Sequence, residues 1–179
     1  PPAGGSEQTL YFAKDRALSE KTPDELLSFD YQVDFTASTG RRNRWFTQLG
    51  GSAIEPGDRR TQDGKLLIFT SEPLAEDLRI AGRPKIRLFV ECDVTDNAYF
   101  AYLEAVDETG YSHYVTEGIV RPETDGETYL KRNARTVAAG SVAEITIPLF
   151  SISALVKKGW RLRVALGGHD ASGFLRCPS

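Results

Sequence analysis

Residues 160–166 read WRLRVAL, in which Trp160, Leu162, Val164 and Leu166 alternate with Arg161 and Arg163. An extended chain turns successive side chains to opposite faces, so this stretch is predicted to be a strand with one apolar and one wet face. The same period of two runs through KIRLFVEC at 85–92, where Ile86, Leu88, Val90 and Cys92 oppose Lys85, Arg87 and Glu91. It recurs in LLSFDYQVDF at 26–35, with Leu27, Phe29, Tyr31, Val33 and Phe35 on one face and Ser28, Asp30, Gln32 and Asp34 on the other. Half-apolar strands need a second sheet to pack against. Further strands are predicted near 8–13, 65–70, 76–80, 97–107, 111–121 and 141–147. Turn signals separate them: GRP at 82–84, DETG at 107–110, ETDGE at 123–127 and KKGW at 157–160. Only LFSISALVKK at 149–158 could form a short helix, and no strand–helix–strand alternation occurs. The pattern predicts an all-β chain, a β-sandwich or jelly roll built from two antiparallel sheets.

A length of 179 residues suits one domain, 1–179, with a core that needs no disulfide or metal. Charge is nearly balanced, 22 Lys and Arg against 25 Asp and Glu, which argues against nucleic acid or an anionic membrane as partner. No apolar run reaches membrane-spanning length, and PPAGGSEQTLYF at the start lacks the regions of a signal peptide. The absence of Met, even at position 1, points to a processed or excised chain, and the compartment stays open with the cytoplasm favoured. Cys92 on a strand and Cys177 in the tail are expected to be free thiols. With His113 and His169 as the only histidines a zinc site would lack ligands, so no cofactor is expected. Residues 36–64 break the alternation with a polar, glycine-rich stretch that nevertheless holds Trp45 and Phe46. A loop insertion that long is either functional or packed against something.

Three clusters look catalytic. His169, Asp170 and Ser172 stand together in GGHDASG, but neighbours on an extended chain point to opposite faces, and no G-x-S-x-G elbow surrounds the serine. The preferred reading is a turn ending the last strand, with Asp170 or Ser172 bonding backbone amides. Ser112 and His113 in GYSHY follow a turn and open a strand, and Ser52 in LGGSAI has neither strand nor helix beside it. Asp107/Glu108 and Glu76/Asp77 fall in turns, where solvated carboxylates are ordinary. RRNRW at 41–45 could grip an anion or stack on a ring, although a basic loop docked on acidic surface is preferred.

Longer strings carry a resemblance. LIFTSEPLAEDLRIAGRPKIRLFVECDVTDNAYFAYLEAVDETGYSHYVTEGIVR at 67–121 and AEITIPLFSISALVKKGWRLRVALGGHDASGFLR at 143–176 resemble the C-terminal β-domain of the X-Pro dipeptidyl-peptidase / cocaine esterase family of serine hydrolases. The opening LYFAKDRALSEKTPDELLSFDYQVDF looks like that domain's first strands, whereas 36–64 matches least well. The resemblance implies a jelly-roll, galactose-binding-like domain. It also implies an upstream α/β-hydrolase domain of the same polypeptide that carries the catalytic Ser, Asp and His, with none of them in this chain. Asp170, Phe174 and Arg176 match the family's tail pattern as structural residues, which leaves His169 outside any triad. The implied role is to close one side of the active-site cleft and support assembly, in a homo-oligomer if the parent forms one. Surface buried against the partner should then include apolar side chains: Trp45, Phe46, Tyr99, Phe100 and Tyr102 are the candidates. For AYFAY at 98–102 the competing reading is a central strand covered on both sides. Two other functions compete: a free-standing carbohydrate-binding module using Trp45, and a small hydrolase using His169 and Ser172.

Overall fold

The computed structural model describes residues 5–47, 54, 56–95, 97–121 and 137–176. Ten strands and two single-turn α-helices appear among them, with a 3-10 turn at Lys14–Arg16 between the first two strands. In chain order they are β1 (Tyr11–Ala13), β2 (Ala17–Ser19), α1 (Arg44–Thr47), α2 (Arg60–Asp63), β3 (Leu67–Ser71), β4 (Leu78–Gly82), β5 (Lys85–Glu91), β6 (Tyr99–Val106), β7 (Ser112–Val120), β8 (Val142–Pro148), β9 (Ile152–Val156) and β10 (Arg161–Gly167). The predicted strands near 8–13, 65–70, 76–80, 97–107, 111–121, 141–147 and 160–166 are all present, as is KIRLFVEC. Cys177 and the turn at 123–127 lie outside the described residues.

One layer is a six-stranded sheet in the order β1-β2-β3-β10-β6-β7. Its pairings are antiparallel except β2 with β3, which run parallel through Ala17↔Thr70 and Leu18↔Ser71. The other layer is narrower than a full second sheet. It consists of β4 paired with β9, from Leu78↔Val156 to Gly82↔Ile152, and β5 paired with β8, from Lys85↔Pro148 to Glu91↔Val142. Residues 83–84 join β4 to β5 while 149–151 join β8 to β9, so the two pairs form one long ribbon with an extra residue on one side. That extra residue is a bulge, and it bends the ribbon. Gly82 takes φ +116° there, which a side chain would resist, and the Leu149 amide donates to the Pro84 carbonyl across the bend at 2.9 Å.

The main core lies between ribbon and sheet. Ile86, Ile145, Ile147 and Val156 of the ribbon meet Phe69, Ala101, Leu103, Leu162 and Val164 of the sheet. Each large apolar side chain buried here contributes about 1.5–3 kcal/mol. The chain is therefore an all-β sandwich, as the alternation predicts. β6 is nevertheless buried along both faces, because residues 36–47, 56–66 and 168–176 lie as a cover over the sheet's far side, where Ala37, Leu66, Phe100, Tyr102 and Ala165 form a second cluster.

Two expectations fail. Residues 27–33 alternate as read, with Leu27, Phe29, Tyr31 and Val33 half-buried and Ser28, Asp30 and Gln32 exposed, but they form no ladder, and Phe35 breaks the pattern, 38% exposed at the start of a turn. Phe29 packs edge-on against Phe69 at 5.0 Å and the Tyr31 hydroxyl donates to the Lys65 carbonyl at 3.0 Å. Alternation reports a one-sided extended chain, and such a chain also needs a vacant strand edge; β3 already sits between β2 and β10. The possible helix at 149–158 is instead β9, with Ile152 and Val156 turned to the core and Leu155 outward.

Candidate functional site: a covered sheet face and an exposed ribbon face

The catalytic-looking groups are spent on structure. Asp170 is 1% exposed, and its carboxylate accepts from Thr39 N at 3.1 Å, Thr39 Oγ1 at 2.5 Å, Tyr102 Oη at 3.1 Å, Ser172 N at 3.2 Å and Ser172 Oγ at 2.9 Å. A serine hydroxyl held by a carboxylate has no imidazole to take its proton, and the His169 ring packs on Phe35 at 5.4 Å instead. GGHDASG is the turn that its composition suggests. Ser112 and His113 diverge: Ser112 Oγ donates to the buried Glu104 Oε2 at 2.8 Å, while His113 Nε2 lies 3.0 Å from Asp107 Oδ2. The imidazole is sandwiched between Tyr111 at 4.4 Å and Trp160 at 4.8 Å, on the wall of a groove of about 310 Å³ between β7 and β9 that Ser153 and Leu155 also line. Asp107 closes the hairpin turn by accepting from Thr109 Oγ1, Thr109 N and Tyr111 N, and these bonds hold its carboxyl far below the usual range. Ser52 lies outside the described residues. Among the described residues no group of three His, Cys, Asp or Glu side chains is placed to hold a metal.

Ions fasten the cover. Arg59, 2% exposed, donates from Nε to Glu104 Oε1 at 2.5 Å and lays its guanidinium 4.3 Å from the Tyr102 ring centre. Arg163 of β10 donates to Asp63 Oδ2 of α2 at 2.7 Å and to Thr70 Oγ1 at 3.0 Å. The dipeptide Arg59–Arg60 is positioned by Asp58, whose Oδ1 accepts from the Arg60 and Ser112 amides, each at 3.1 Å. Burial pushes the Glu104 carboxyl up while the Arg59 guanidinium beside it pulls the other way. Burial also raises Glu117, to about 7, with the nearby Asp170 charge as the next cause. Tyr102 is raised well above its ordinary value by burial and by the same Asp170.

The interface candidates separate. Trp45 meets Phe150 at 5.6 Å and Phe174 at 5.3 Å, both edge-on, and Phe174 meets Phe100 at 5.2 Å. The Phe46 side chain lies outside the described residues. Tyr99 is half-buried. Phe100 and Tyr102 are each only 3% exposed, so the expectation of an apolar surface there is corrected: both lie under the cover, and AYFAY is a central strand covered on both sides. Asp170, Phe174 and Arg176 together pin 168–176 in place, the last by setting its guanidinium 3.8 Å from the Phe35 ring centre. The large exposed apolar side chains of the ribbon were not among the candidates. Phe89 and Val142 are each 67% exposed and Leu155 53%, all on the face turned away from the core. A signal for Phe89 exists in KIRLFVEC, where it shares the wet phase with Lys85, Arg87 and Glu91.

The family model of the X-Pro dipeptidyl-peptidase C-terminal non-catalytic domain matches residues 1–179. The chain is 37% identical over 194 aligned positions to a protein of Mycobacterium bovis and one of Mycobacterium tuberculosis, both named "Putative serine esterase". The alignment takes in 99% of this chain but 31% of each relative. Among solved structures, an α-amino acid ester hydrolase superposes with a TM-score of 0.73 at 20% identity, over 95% of this chain and 31% of that one. An aminopeptidase from a marine sediment Thaumarchaeota archaeon superposes with a TM-score of 0.71 at 24% identity, over 90% of this chain and 29% of that one. These two likenesses concern the fold. The family match over the whole length agrees with the all-β sandwich: the chain belongs to the family of X-Pro dipeptidyl-peptidase C-terminal non-catalytic domains.

Proposed function

We propose that this chain is the jelly-roll accessory domain, 1–179, of a larger serine hydrolase of the esterase or X-Pro dipeptidyl-peptidase type. In this reading an α/β-hydrolase unit of the same polypeptide supplies the nucleophile, its histidine and the oxyanion hole. The β-domain forms one wall of the active-site cleft and contributes to assembly. The observation that carries the reading is the fate of Ser172 and His169, one hydrogen-bonded to Asp170 and the other packed on Phe35. The chain's 31% share of its relatives' length leaves room for the rest of the enzyme. The exposed ribbon face, with Phe89, Val142 and Leu155, is the surface offered to the partner unit, in place of the covered Phe100 and Tyr102.

Substitution in the full-length polypeptide tests this. Ser172→Ala and His169→Ala should leave kcat for p-nitrophenyl ester hydrolysis within a few-fold of wild type. Loss of a true triad member lowers kcat by about 10⁴ or more. A loss of that size in either variant would return the chemistry to this chain.

A further inference from the structure

Strand β5 has a partner on one side only. Among the described residues it pairs with β8 and with no other strand, which leaves its far edge open. The bend of the ribbon fixes which backbone groups face that edge. The Leu149 amide donates to the Pro84 carbonyl, and Pro148, which has no N–H, stands opposite Lys85. Bonded and non-bonded pairs alternate in an antiparallel ladder. Ile86, Leu88 and Val90 therefore bond to β8, while Lys85, Arg87, Phe89 and Glu91 turn their N–H and C=O groups to the open edge. The same four residues are exposed on the outer face, because Ile86, Leu88 and Val90 pack toward the core.

Open edges are commonly blunted by charge, and a row of like charges repels any copy of itself. The charge here changes sign along the strand. In KIRLFVECD at 85–93 the outward positions run Lys85, Arg87, Phe89, Glu91, Asp93: two cations, a ring and two anions. Reversing the direction about Phe89 exchanges the signs. A second copy laid antiparallel sets ring against ring at the centre, and on either side of it Arg87 against Glu91 and Lys85 against Asp93. Arg87 is available for this, since the carboxylate nearest to it on its own chain, Glu144 Oε1, lies 3.7 Å away and 71% of the arginine side chain is exposed.

We propose that the open edge of β5 pairs with β5 of a second copy of this chain, antiparallel and centred on Phe89, so that two ribbons join into one four-stranded sheet. The inference deepens the assembly role proposed above, and it rests on that reading in taking the full-length polypeptide as the unit that pairs. Edge bonds lie in the plane of the ribbon and side chains stand across it, so Val142 and Leu155 stay open to the hydrolase unit.

Sedimentation velocity on the full-length polypeptide tests the pairing, over a series from about 0.1 to about 100 μM because a contact this short is a small one. The wild type should pass from monomer to dimer along the series. Arg87→Glu and Glu91→Arg each create two like-charge pairs per dimer, and each should weaken the dimer at least about tenfold. The double variant Arg87→Glu/Glu91→Arg restores both pairs and should return to within about threefold of wild type. In the dimer the amides of Lys85, Arg87, Phe89 and Glu91 should exchange slowly, and dilution should speed them. A wild type that stays monomeric, a dimer indifferent to both reversals, or single losses that the double variant does not rescue would overturn the proposal. Slow exchange that dilution leaves unchanged would also overturn it, by placing another segment of the polypeptide on the edge. Ester turnover in the same samples keeps the two readings apart: activity in this chain alone would end the accessory reading, whereas the mass of the variants decides the edge.

Discussion

Asp170 carries more of this fold than any other single carboxylate described, and its residue-scale consequences are sharp. Five donors converge on it inside a 1% exposed site, so Asp170→Asn removes the charge and turns half of an all-acceptor group into a donor. The expected loss is about 2–4 kcal/mol, read as a lower urea midpoint. Gly118 is the second such position. A Cβ there would collide with the Pro148 carbonyl oxygen and press on Leu149 Cδ2 at 2.9 Å, because β7 crosses the β8–β9 junction with no gap. Gly118→Ala should cost about 1–3 kcal/mol by the same measurement, where an ordinary surface Gly→Ala change would be near neutral. The turn role of Asp170 was legible, since G-x-D-x-S-G composition favours carboxylate-to-amide bonds. Its bond to Tyr102 was not, because the partner lies 68 residues away and no local pattern encodes that distance.

At the scale of elements, the cover is fixed to the sheet by buried ions and the ribbon by apolar packing. The Arg59–Glu104 pair joins positions 45 residues apart and is almost fully out of water. Glu104→Gln leaves Arg59 buried without its counter-charge, and breaking such a pair costs about 3–5 kcal/mol. Thermal unfolding should show it as a large drop in Tm. The ribbon's outer face behaves oppositely. Phe89→Ser in the chain alone should shift stability by no more than about 0.5 kcal/mol, since the ring is 67% exposed. In the full-length polypeptide the same substitution should release this domain to limited proteolysis if the face docks as proposed. Eight of the ten strands described were legible in the sequence, including β5 and β8 of the ribbon; β2 was missed, and β9 had the look of a short helix. Residues 26–35 show the limit, because alternation reports burial on one side and says nothing about whether an edge is vacant. The stretch 36–64 was recognisable as packed or functional from its length, but nothing in it singles out Arg59 and Asp63 as buried, because their partners Glu104 and Arg163 lie 45 and 100 residues away on the sheet.

For the whole molecule, the pH dependence of stability follows from acids displaced in opposite directions. Glu117 is raised above its unfolded value to about 7, so it holds a proton in the folded chain that the unfolded chain has released. Stability therefore falls as pH rises from about 4.5 to about 7, by on the order of 3 kcal/mol at most. Asp34, Asp58 and Asp107 are lowered by the turn bonds they accept, and their contribution is lost as pH falls through their folded values. The chain alone should be most stable on the mildly acidic side of neutrality, with urea midpoints declining toward pH 7 and again in strong acid. A maximum at pH 7.5 would show that Glu117 is ionised in the folded state. The larger question is where the chemistry resides, and ester turnover by this chain beside the full-length polypeptide addresses it most directly. With p-nitrophenyl acetate at matched concentration, the full-length polypeptide should turn over substrate while this chain alone stays at the buffer rate. Turnover by the chain alone, abolished by His169→Ala, would place the active site in this sandwich and end the accessory-domain reading.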